Sequence, residues 1–270
     1  MVYMPEVSLI IAVHKRQDFL EKIFASLDNQ SLKDFEVLIA EDGIDEGVAK
    51  VLERYRTAFM HPLVHVRQEH AGFRKALIAN KAVASAKSGY LIFIDGDCIL
   101  HHRFLERHYA HRRLQTILSG RRVSLDEYLT QRISLEDVKS RRIEHPRFWF
   151  NHCLKKELKH GIYVPLSFEI ENYFLANYTI VGCNFSVHTI DFYKINGYDE
   201  RIVGRGMEDS NLYERVRVKG FRVCSIAREA LQYHLFHTFD PIPHSTETIR
   251  AFCTPKDPWT EFGLIEGRRE

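Results

Sequence analysis

Apolar and polar positions alternate in blocks along the first hundred residues of the chain. Short β-branched or apolar runs occupy residues 7–13, 35–40, 63–67 and 90–94. Each of the first three runs is followed by a stretch with apolar side chains at helical spacing, most clearly Phe19, Leu20 and Ile23. Apolar strands that alternate with helices predict an α/β chain, with a mostly parallel central sheet flanked by helices.

Two of the predicted helices begin with informative residues. The first begins at Asp18, and Glu21 stands three residues later, as in a capping box. The third covers residues 74–87 and follows Gly72, with Arg74 and Lys75 in its first turn. A glycine followed by two cations at a helix start is a reasonable diphosphate contact, although a helix with a solvated outer face has the same pattern.

Polar residues follow the predicted strands directly. His14 follows the first strand, Glu41 and Asp42 the second, and Asp95 and Asp97 the fourth. Ligands of parallel α/β sheets bind beyond the carboxyl ends of the strands. We therefore expect the substrate to lie along this edge of the sheet.

Composition and charge narrow the class of protein. The 270 residues are enough for one large or two small domains, and 45% hydrophobic with 27% charged residues is ordinary globular composition. A net charge of +2 is too balanced for a protein that binds mainly nucleic-acid phosphates. No GxGxxG motif follows the first strand and no GxxxxGK[ST] motif occurs, which argues against a dinucleotide oxidoreductase or a P-loop NTPase.

The sequence predicts a cytoplasmic protein. The first residues do not resemble a secretory signal, and the apolar runs are far shorter than the roughly 18–20 residues that span a bilayer. The five cysteines are scattered and form no CxxC pair, so we expect neither a disulfide framework nor a structural zinc.

Two carboxylates follow the fourth strand in the triplet Asp95-Gly96-Asp97. Beyond a buried strand, such a pair can share one divalent cation that also binds the oxygens of a diphosphate. Hard oxygen ligands suit Mn²⁺ or Mg²⁺. Most triplets of this kind are solvated turns, and the position after a buried strand favours the metal.

Two further pairs, late in the chain, carry possible chemistry. His234 and His237, spaced i, i+3 at a strand end, could bring imidazole to the metal held by Asp97, although such pairs are more often structural. Glu208 and Asp209 precede a helical pattern, where acidic residues complement the helix dipole. The functional alternative is a carboxylate that removes a proton from an attacking hydroxyl.

Residues 101–160 form a basic region. Fourteen Lys and Arg residues stand against seven Asp and Glu residues there, and the segment from Arg141 to His160 mixes basic and aromatic side chains. One interpretation is a solvated helical surface, with Phe148, Trp149 and Phe150 in the core. The other is a surface for an anionic acceptor, or a peripheral contact with the inner face of the membrane.

Seven motifs in order resemble glycosyltransferase family 2, the inverting, nucleotide-sugar-dependent enzymes of GT-A fold. They are VSLIIAVHKR, FEVLIAEDG, GFRKALIANKA, GYLIFIDGDC, VGCNFSV, INGYDERIVGRGMEDSNLYERV and YHLFH. The resemblance covers residues 7–103 and 181–237. The later motifs are also similar to the galactosyltransferase and chondroitin-polymerase branch.

The resemblance implies roles for the residues at the end of the sheet. Asp97 matches the metal ligand of the family's DxD motif, and Asp95 contacts the ribose or the metal. Glu41 and Asp42 match the acidic pair that reads the nucleobase, usually uracil. The backbone near His14 is expected to line that base.

The later motifs carry over in the same way. Asp209 matches the catalytic base, and Glu208 beside it contacts the sugar or the acceptor. His237 matches a metal ligand, and His234 stands where the galactosyltransferase branch has a further metal contact. The arginine that the family carries in the third helix is missing, and Arg74 or Lys75, about one turn earlier, is expected to substitute for it.

These implications define the predicted function. Residues 1–100 form a nucleotide-sugar-binding half, residues 101–238 an acceptor-binding and catalytic half, and residues 239–270 a C-terminal extension. The chain is expected to transfer a hexosyl or N-acetylhexosaminyl group from a UDP-linked donor, with Mn²⁺ or Mg²⁺, to a saccharide or lipid-linked acceptor. Two alternatives are a sugar-nucleotide pyrophosphorylase and a non-catalytic nucleotide-sugar-binding module.

Overall fold

A computed structural model describes residues 4–148, 158–159, 168, 172, 178–238 and 246–265 of the chain. Its strands are β1 (Val7–Val13), β2 (Phe35–Asp42), β3 (Leu63–Gln68), β4 (Tyr90–Asp95), β5 (Cys98–Leu100), β6 (Thr116–Ser119), β7 (Val123–Leu125), β8 (Leu158–Lys159), β9 (Asn184–His188), β10 (Arg222–Ser225) and β11 (Gln232–His234). Its helices are α1 (Gln17–Asp28), α2 (Glu46–Ala58), α3 (Lys75–Ser85), α4 (Phe104–Ala110), α5 (Glu127–Arg132), α6 (Leu135–Lys139), α7 (Thr189–Lys194), α8 (Met207–Val218) and α9 (Thr246–Cys253). A 3₁₀ turn covers Arg142–Glu144.

The central sheet has seven strands within the described residues, in the order β10-β6-β9-β4-β1-β2-β3. Strand β9 runs antiparallel to both of its neighbours, β4 and β6, and the other pairs are parallel. The predicted mostly parallel sheet flanked by helices is therefore confirmed. Strands from before and after residue 100 share this sheet, and the proposed division into functional halves stays a prediction.

Helices cover both faces of the sheet, which explains why its strands are almost continuously apolar. On one face, Leu9 and Val37 pack with residues of α1 and α2. On the other, Ile10 and Leu38 pack with Ala76 and other residues of α3, α7 and α8. A strand that is buried on both sides has no solvent-facing position for a polar residue until it ends.

A second, four-stranded sheet has the order β5-β11-β7-β8. Its antiparallel pair β5 and β11 places His234 opposite Cys98, directly after the Asp95-Gly96-Asp97 triplet. The backbone N–H of Leu235 donates to the carbonyl oxygen of Asp97 at 2.8 Å. Two segments that are 140 residues apart in the chain are thus held side by side.

The predicted capping box at the start of the first helix is wrong. Helix α1 begins at Gln17, after Arg16, whose backbone is left-handed (φ 65°, ψ 45°), and no side chain caps its N-terminus. Glu21 instead forms an ion pair with Arg54 of α2. The left-handed turn at Lys15 and Arg16 moves the chain directly from the strand into the helix.

Parts of the predicted basic segment and C-terminal extension lie outside the described residues. These are residues 149–157 and 160 of the former, including Trp149 and Phe150, and residues 239–245 and 266–270 of the latter. Phe148 packs, half-buried, against the apolar cluster around Ile99 and Tyr233. Within the described ranges, no helix is both long and apolar enough to cross a membrane.

Candidate active site

A cavity of about 770 Å³ opens at the carboxyl ends of β1, β2 and β4. Helix N-termini and the end of β11 complete its wall, so segments from both halves of the chain contribute. Its volume is within the range of pockets that enclose small ligands and cofactors. Most of the residues that the sequence selects line this cavity: His14, Asp42, Lys75, Asp95, Asp97, Glu208, Asp209, His234 and His237.

Asp97, His234 and His237 form a compact cluster at one side of the cavity. The Nε2 atom of His237 lies 2.8 Å from Asp97 Oδ2, and the Nε2 atom of His234 lies 3.3 Å from the same oxygen. The Sγ–H of Cys98 donates to the other oxygen of Asp97 at 3.1 Å. One carboxylate and two imidazoles therefore converge on one point.

This cluster has the chemistry of a divalent metal site. Burial by itself would raise the pKa of Asp97, but hydrogen bonds from His234 and His237 outweigh it and hold the pKa well below its usual range. The carboxylate of Asp97 is therefore ionised. The potential ligand atoms of the three residues in the cluster lie within 4.8 Å of one another. Carboxylate oxygen and imidazole nitrogen both bind Mn²⁺ and related cations, so the residues present fit such an ion.

Lys75 forms an ion pair in the wall of the cavity. Its Nζ lies 2.7 Å from Asp95 Oδ1, and it donates to the carbonyl oxygen of Gly182 at 3.4 Å. Burial would lower the pKa of this lysine, but the neighbouring carboxylates, Asp95 first among them, raise it well above its usual value. Lys75 is thus a fixed positive charge in a cavity lined by acidic groups.

Helix α8 presents Glu208 and Asp209 from its first turn. The helix begins after Gly206, whose positive φ of 85° suits glycine. Glu208 is buried and Asp209 is half-buried, and burial raises the pKa of Asp209. The hydroxyl of Tyr198 donates to Asp209 Oδ1 at 3.5 Å.

Glu208 is 4% exposed, and its Oε2 atom has no hydrogen-bond partner among the described residues. Burial, followed by the charge of Asp209, raises the pKa of Glu208 to about 7. Its side chain is therefore available to a bound ligand, as hydrogen-bond donor or acceptor, near neutral pH.

The acidic pair at the end of β2 divides into two different environments. Asp42 lines the cavity and accepts hydrogen bonds from the backbone N–H of Arg74 at 2.7 Å and from Gln68 at 2.9 Å. Glu41 points away from the residues that line it and binds His65 Nε2 at 2.7 Å and the N–H of Asp45 at 2.8 Å. Successive residues of a strand face opposite ways, which explains the difference. A direct contact of Glu41 with the donor stays a prediction.

His14 and Arg74 are oriented differently from each other. The Nδ1–H of His14 donates to the carbonyl oxygen of Asp42 at 2.7 Å, and its ring lies on the cavity wall. The guanidinium of Arg74 donates to the carbonyl oxygen of Glu69 at 2.5 Å and is not part of that wall. Lys75 rather than Arg74 is therefore the cation of this helix start that reaches the cavity.

Sequence reasoning missed several residues of the site. Gly182 contacts Asp209 so closely that a Cβ atom at that position would overlap both oxygens of the carboxylate. Gly182 and Tyr198 both lie in motifs that the resemblance includes, so their positions could have been singled out. Arg205 also lines the cavity and lies in one of those motifs. Arg122 lines the cavity too, and no local pattern distinguishes it from other surface arginines.

Two family models match the chain. The model for glycosyl transferase family 2 matches residues 8–185, and the model for the N-terminal domain of galactosyltransferase matches residues 166–238. Together they cover the whole cavity wall, from Ala12 to Thr238. The first of these matches alone covers well over half of the chain.

Curated relatives are distant and longer. Validoxylamine A glucosyltransferase of Streptomyces hygroscopicus subsp. jinggangensis is 22% identical over 241 residues, which are 84% of this chain and 55% of that protein. Glycosyltransferase AglE of Haloferax volcanii is 27% identical over 106 residues, which are 38% of this chain and 34% of that protein. The chain thus aligns with about a third to a half of these relatives.

Solved structures share the fold at low identity. The mannosyltransferase PcManGT of Pyrobaculum calidifontis, in complex with GDP-Man and Mn²⁺, has a TM-score of 0.59 at 15% identity, covering 88% of this chain and 59% of that one. GalNAc-T7 with UDP, GalNAc and Mn²⁺ has a TM-score of 0.61 at 13% identity, covering 88% and 45%. Both are GT-A glycosyltransferases, and this chain has the same fold. On its matched residues and its fold, the chain belongs to glycosyl transferase family 2.

Proposed function

We propose that this chain is an inverting glycosyltransferase that moves a sugar from a nucleotide-sugar donor to a hydroxyl group of an acceptor. The observation that carries the proposal is the joint presence, in one cavity, of the Asp97 cluster and the half-buried Asp209. The first group suits a diphosphate with its metal, and the second suits removal of a proton. Membership of the family supports the same reaction.

Asp97, His234 and His237 would hold the divalent metal. Both fold neighbours named above were solved in complex with Mn²⁺, which favours that ion here. When bound, the metal supplies positive charge that stabilises the departing nucleoside diphosphate. Lys75 adds a second positive charge within the same cavity, paired with Asp95.

Asp209 is the group that accepts the proton. Its raised pKa makes it a stronger base than an exposed aspartate, while the opposing charge of Lys75 keeps the carboxylate form accessible. In the proposed step, the acceptor hydroxyl oxygen forms a bond to the anomeric carbon as its proton passes to Asp209. The bond from that carbon to the diphosphate breaks on the opposite side, and the nucleoside diphosphate leaves with the electron pair.

Inversion follows from this arrangement of groups. A single displacement needs one base and forms no covalent sugar–enzyme intermediate, so the configuration at the anomeric carbon reverses. Glu208, with its pKa of about 7, is suited to bind a hydroxyl of the sugar or the acceptor rather than to act as a fully ionised base.

The nucleotide would lie beside His14 and Asp42. These residues line the cavity at the ends of β1 and β2, where the GT-A-type sheet leaves room for a base. We propose a UDP-linked hexose or N-acetylhexosamine as the donor, and a saccharide or lipid-linked acceptor in polysaccharide or glycoconjugate synthesis. UDP in the GalNAc-T7 structure supports this choice, and GDP-Man in the PcManGT structure gives the competing nucleotide.

A panel of nucleotide sugars tests the proposed reaction. Slow hydrolysis of the correct donor needs no acceptor, so release of a nucleoside diphosphate that depends on Mn²⁺ identifies a transferase and its donor together. Turnover that requires pyrophosphate would instead identify a sugar-nucleotide pyrophosphorylase. Donor binding without any turnover, in the presence of a range of saccharide acceptors, would identify a binding module and contradict the proposal.

A further inference from the structure

Two histidines and one glutamate meet at the far end of strand β5, outside the cavity. His101 and His102 directly follow β5, and Glu144 is the last residue of the 3₁₀ turn at Arg142–Glu144. The Nδ1 atom of His102 lies 2.5 Å from Glu144 Oε2, and the Nε2 atom of His101 lies 3.6 Å from the same oxygen. The three ligand atoms lie within 4.8 Å of one another.

This second cluster repeats the donor set of the cavity cluster. Each consists of one carboxylate oxygen and two imidazole nitrogens, and both imidazoles face the same oxygen in each case. One cluster precedes β5 and the other follows it. From Asp97 to His101 the chain advances four extended residues, or about 13 Å at 3.3 Å per residue, so one ion cannot serve both.

The second cluster is also fixed before any ion binds. Glu144 accepts a hydrogen bond from the backbone N–H of His102 at 2.8 Å through its other oxygen, which leaves Oε2 directed at the imidazoles. His101 is 7% exposed, and its carbonyl oxygen accepts a hydrogen bond from Gln30 at 3.0 Å. The positions of two ligands are therefore set by backbone hydrogen bonds as well as by the cluster itself.

Nearby cations oppose a metal here, and acidic partners offset two of them. Arg103 Nη2 lies 2.7 Å from Glu106, and Arg107 Nη1 lies 3.4 Å from Glu229. Arg141, just before the turn, adds a further positive charge to the surroundings. A bound cation therefore needs the negative charge of Glu144 beside it. Both carboxylate oxygens of Glu144 lie within hydrogen-bond distance of His102, which holds that charge at the site.

We propose that His101, His102 and Glu144 bind a zinc ion that is separate from the catalytic metal. Two imidazoles and a carboxylate are a known ligand set for Zn²⁺, with a water molecule in the fourth position. The ion would fasten the 3₁₀ turn, and with it the start of the basic segment, to the end of β5. The site contains no cysteine, so the lack of a CxxC pair in the sequence does not bear on it.

The test measures zinc binding in a chain whose cavity cluster has been disabled. In the Asp97→Asn, His237→Gln double variant, equilibrated with buffered Zn²⁺ and separated by gel filtration, we expect about one zinc per chain. Adding His102→Gln to this background should remove that ion, and adding His145→Gln should not. His145 is an exposed histidine next to Glu144 and is the matched control.

Thermal unfolding provides a readout that is independent of activity. A hundredfold excess of Zn²⁺ over its dissociation constant should raise the melting temperature of the double variant by about 5 °C. The same addition of Zn²⁺ should leave the melting temperature of the variant that also carries His102→Gln unchanged. Because each protein serves as its own metal-free reference, loss of stability in a variant does not obscure the result.

Three outcomes would overturn the zinc site. They are a double variant that retains no zinc, zinc retention that survives His102→Gln, and equal loss of zinc with His145→Gln. In the first case, Glu144 would be a hydrogen-bond acceptor that joins the turn to β5 and nothing more. In the other two, the bound zinc would belong elsewhere on the chain.

Discussion

Gly182 lies directly against the carboxylate of Asp209, so closely that a Cβ atom at position 182 would overlap both carboxylate oxygens. The backbone at Gly182 does not need the left-handed region, so the requirement for glycine is one of space rather than of conformation. The lack of a side chain at Gly182 thus allows Asp209, the proposed base, to occupy its position in the cavity wall. The carbonyl oxygen of the same glycine accepts a hydrogen bond from Lys75, which links it to Asp95 as well.

Gly182→Ala is therefore expected to displace Asp209. If Asp209 is the base, transfer should fall by the roughly 10²- to 10⁴-fold that a positioned base contributes. Gly89→Ala is the matched control, because a Cβ atom there meets nothing within 4 Å. The measurement is the transfer rate of each variant, beside its circular dichroism spectrum. A folded Gly182→Ala variant with normal transfer would show that the close contact has no catalytic consequence.

Lys75→Met should change the pH dependence of the reaction. The positive charge of Lys75 lowers the pKa of Asp209, so its removal raises that pKa further. The base acts in its ionised form, and activity is lost as the pH falls through its pKa. The acidic limb of kcat/KM should consequently move to higher pH.

Lys81→Met is the control for this experiment. Lys81 lies on the same helix and bonds to Gln68 at 3.2 Å, outside the cavity. Its replacement should leave the acidic limb where it was. An acidic limb at the same pH in Lys75→Met and in the unaltered protein would mean that the titrating base does not sense Lys75.

The metal cluster should respond to its ligands in a graded way. Asp97→Ala removes the negative charge and should abolish Mn²⁺-dependent donor binding together with activity. His237→Ala removes one of three ligands. Loss of a residue that only hydrogen-bonds a metal ligand typically weakens metal affinity by roughly 10- to 100-fold, so loss of the ligand itself should raise the Mn²⁺ requirement by more than that. Calorimetric Mn²⁺ affinity is the measurement, and His145→Ala is the control. Unchanged Mn²⁺ dependence in both cluster variants would contradict the assignment.

The basic segment from Arg141 to His160 should bind anionic surfaces. We expect cosedimentation with anionic vesicles at low salt and release at high salt, since the screening length falls from about 10 Å at 0.1 M to about 3 Å at 1 M. The Lys155→Glu, Lys156→Glu variant should lose this binding. Lys50→Glu, on the exposed side of α2, should keep it. Binding that depends on neither lipid charge nor salt concentration would contradict this prediction and favour the interpretation of a solvated surface.

The fold was predictable where burial on both faces of a strand requires a continuous run of apolar residues. Strands β1, β2 and β4 are covered on both faces, so their apolar runs and their polar ends were visible without any structure. The start of α1 was not, because Glu21 is bound by Arg54, an ion-pair partner 33 residues away. Propensity near Asp18 could not reveal a long-range contact of this kind.

The site was predictable as far as its residues belong to motifs. Asp97 and His237 were assigned together from the resemblance, and the structure brings them to 2.8 Å. The division between Glu41 and Asp42 depends on which face of β2 each side chain occupies, and on the presence of His65 in the next strand. The cluster of His101 and Glu144 joins residues 43 positions apart, with no motif to connect them.

The central claim is that Asp209 removes the proton from the acceptor while other residues hold the donor. Asp209→Asn preserves the shape of the side chain and removes the basic carboxylate, so it separates these two roles. The measurement is the transfer rate of Asp209→Asn beside its calorimetric affinity for the donor with Mn²⁺. We predict a fall of about 10²- to 10⁴-fold in transfer with nearly unchanged donor affinity. Transfer at close to the original rate would contradict the account and make Glu208 the first candidate for the base.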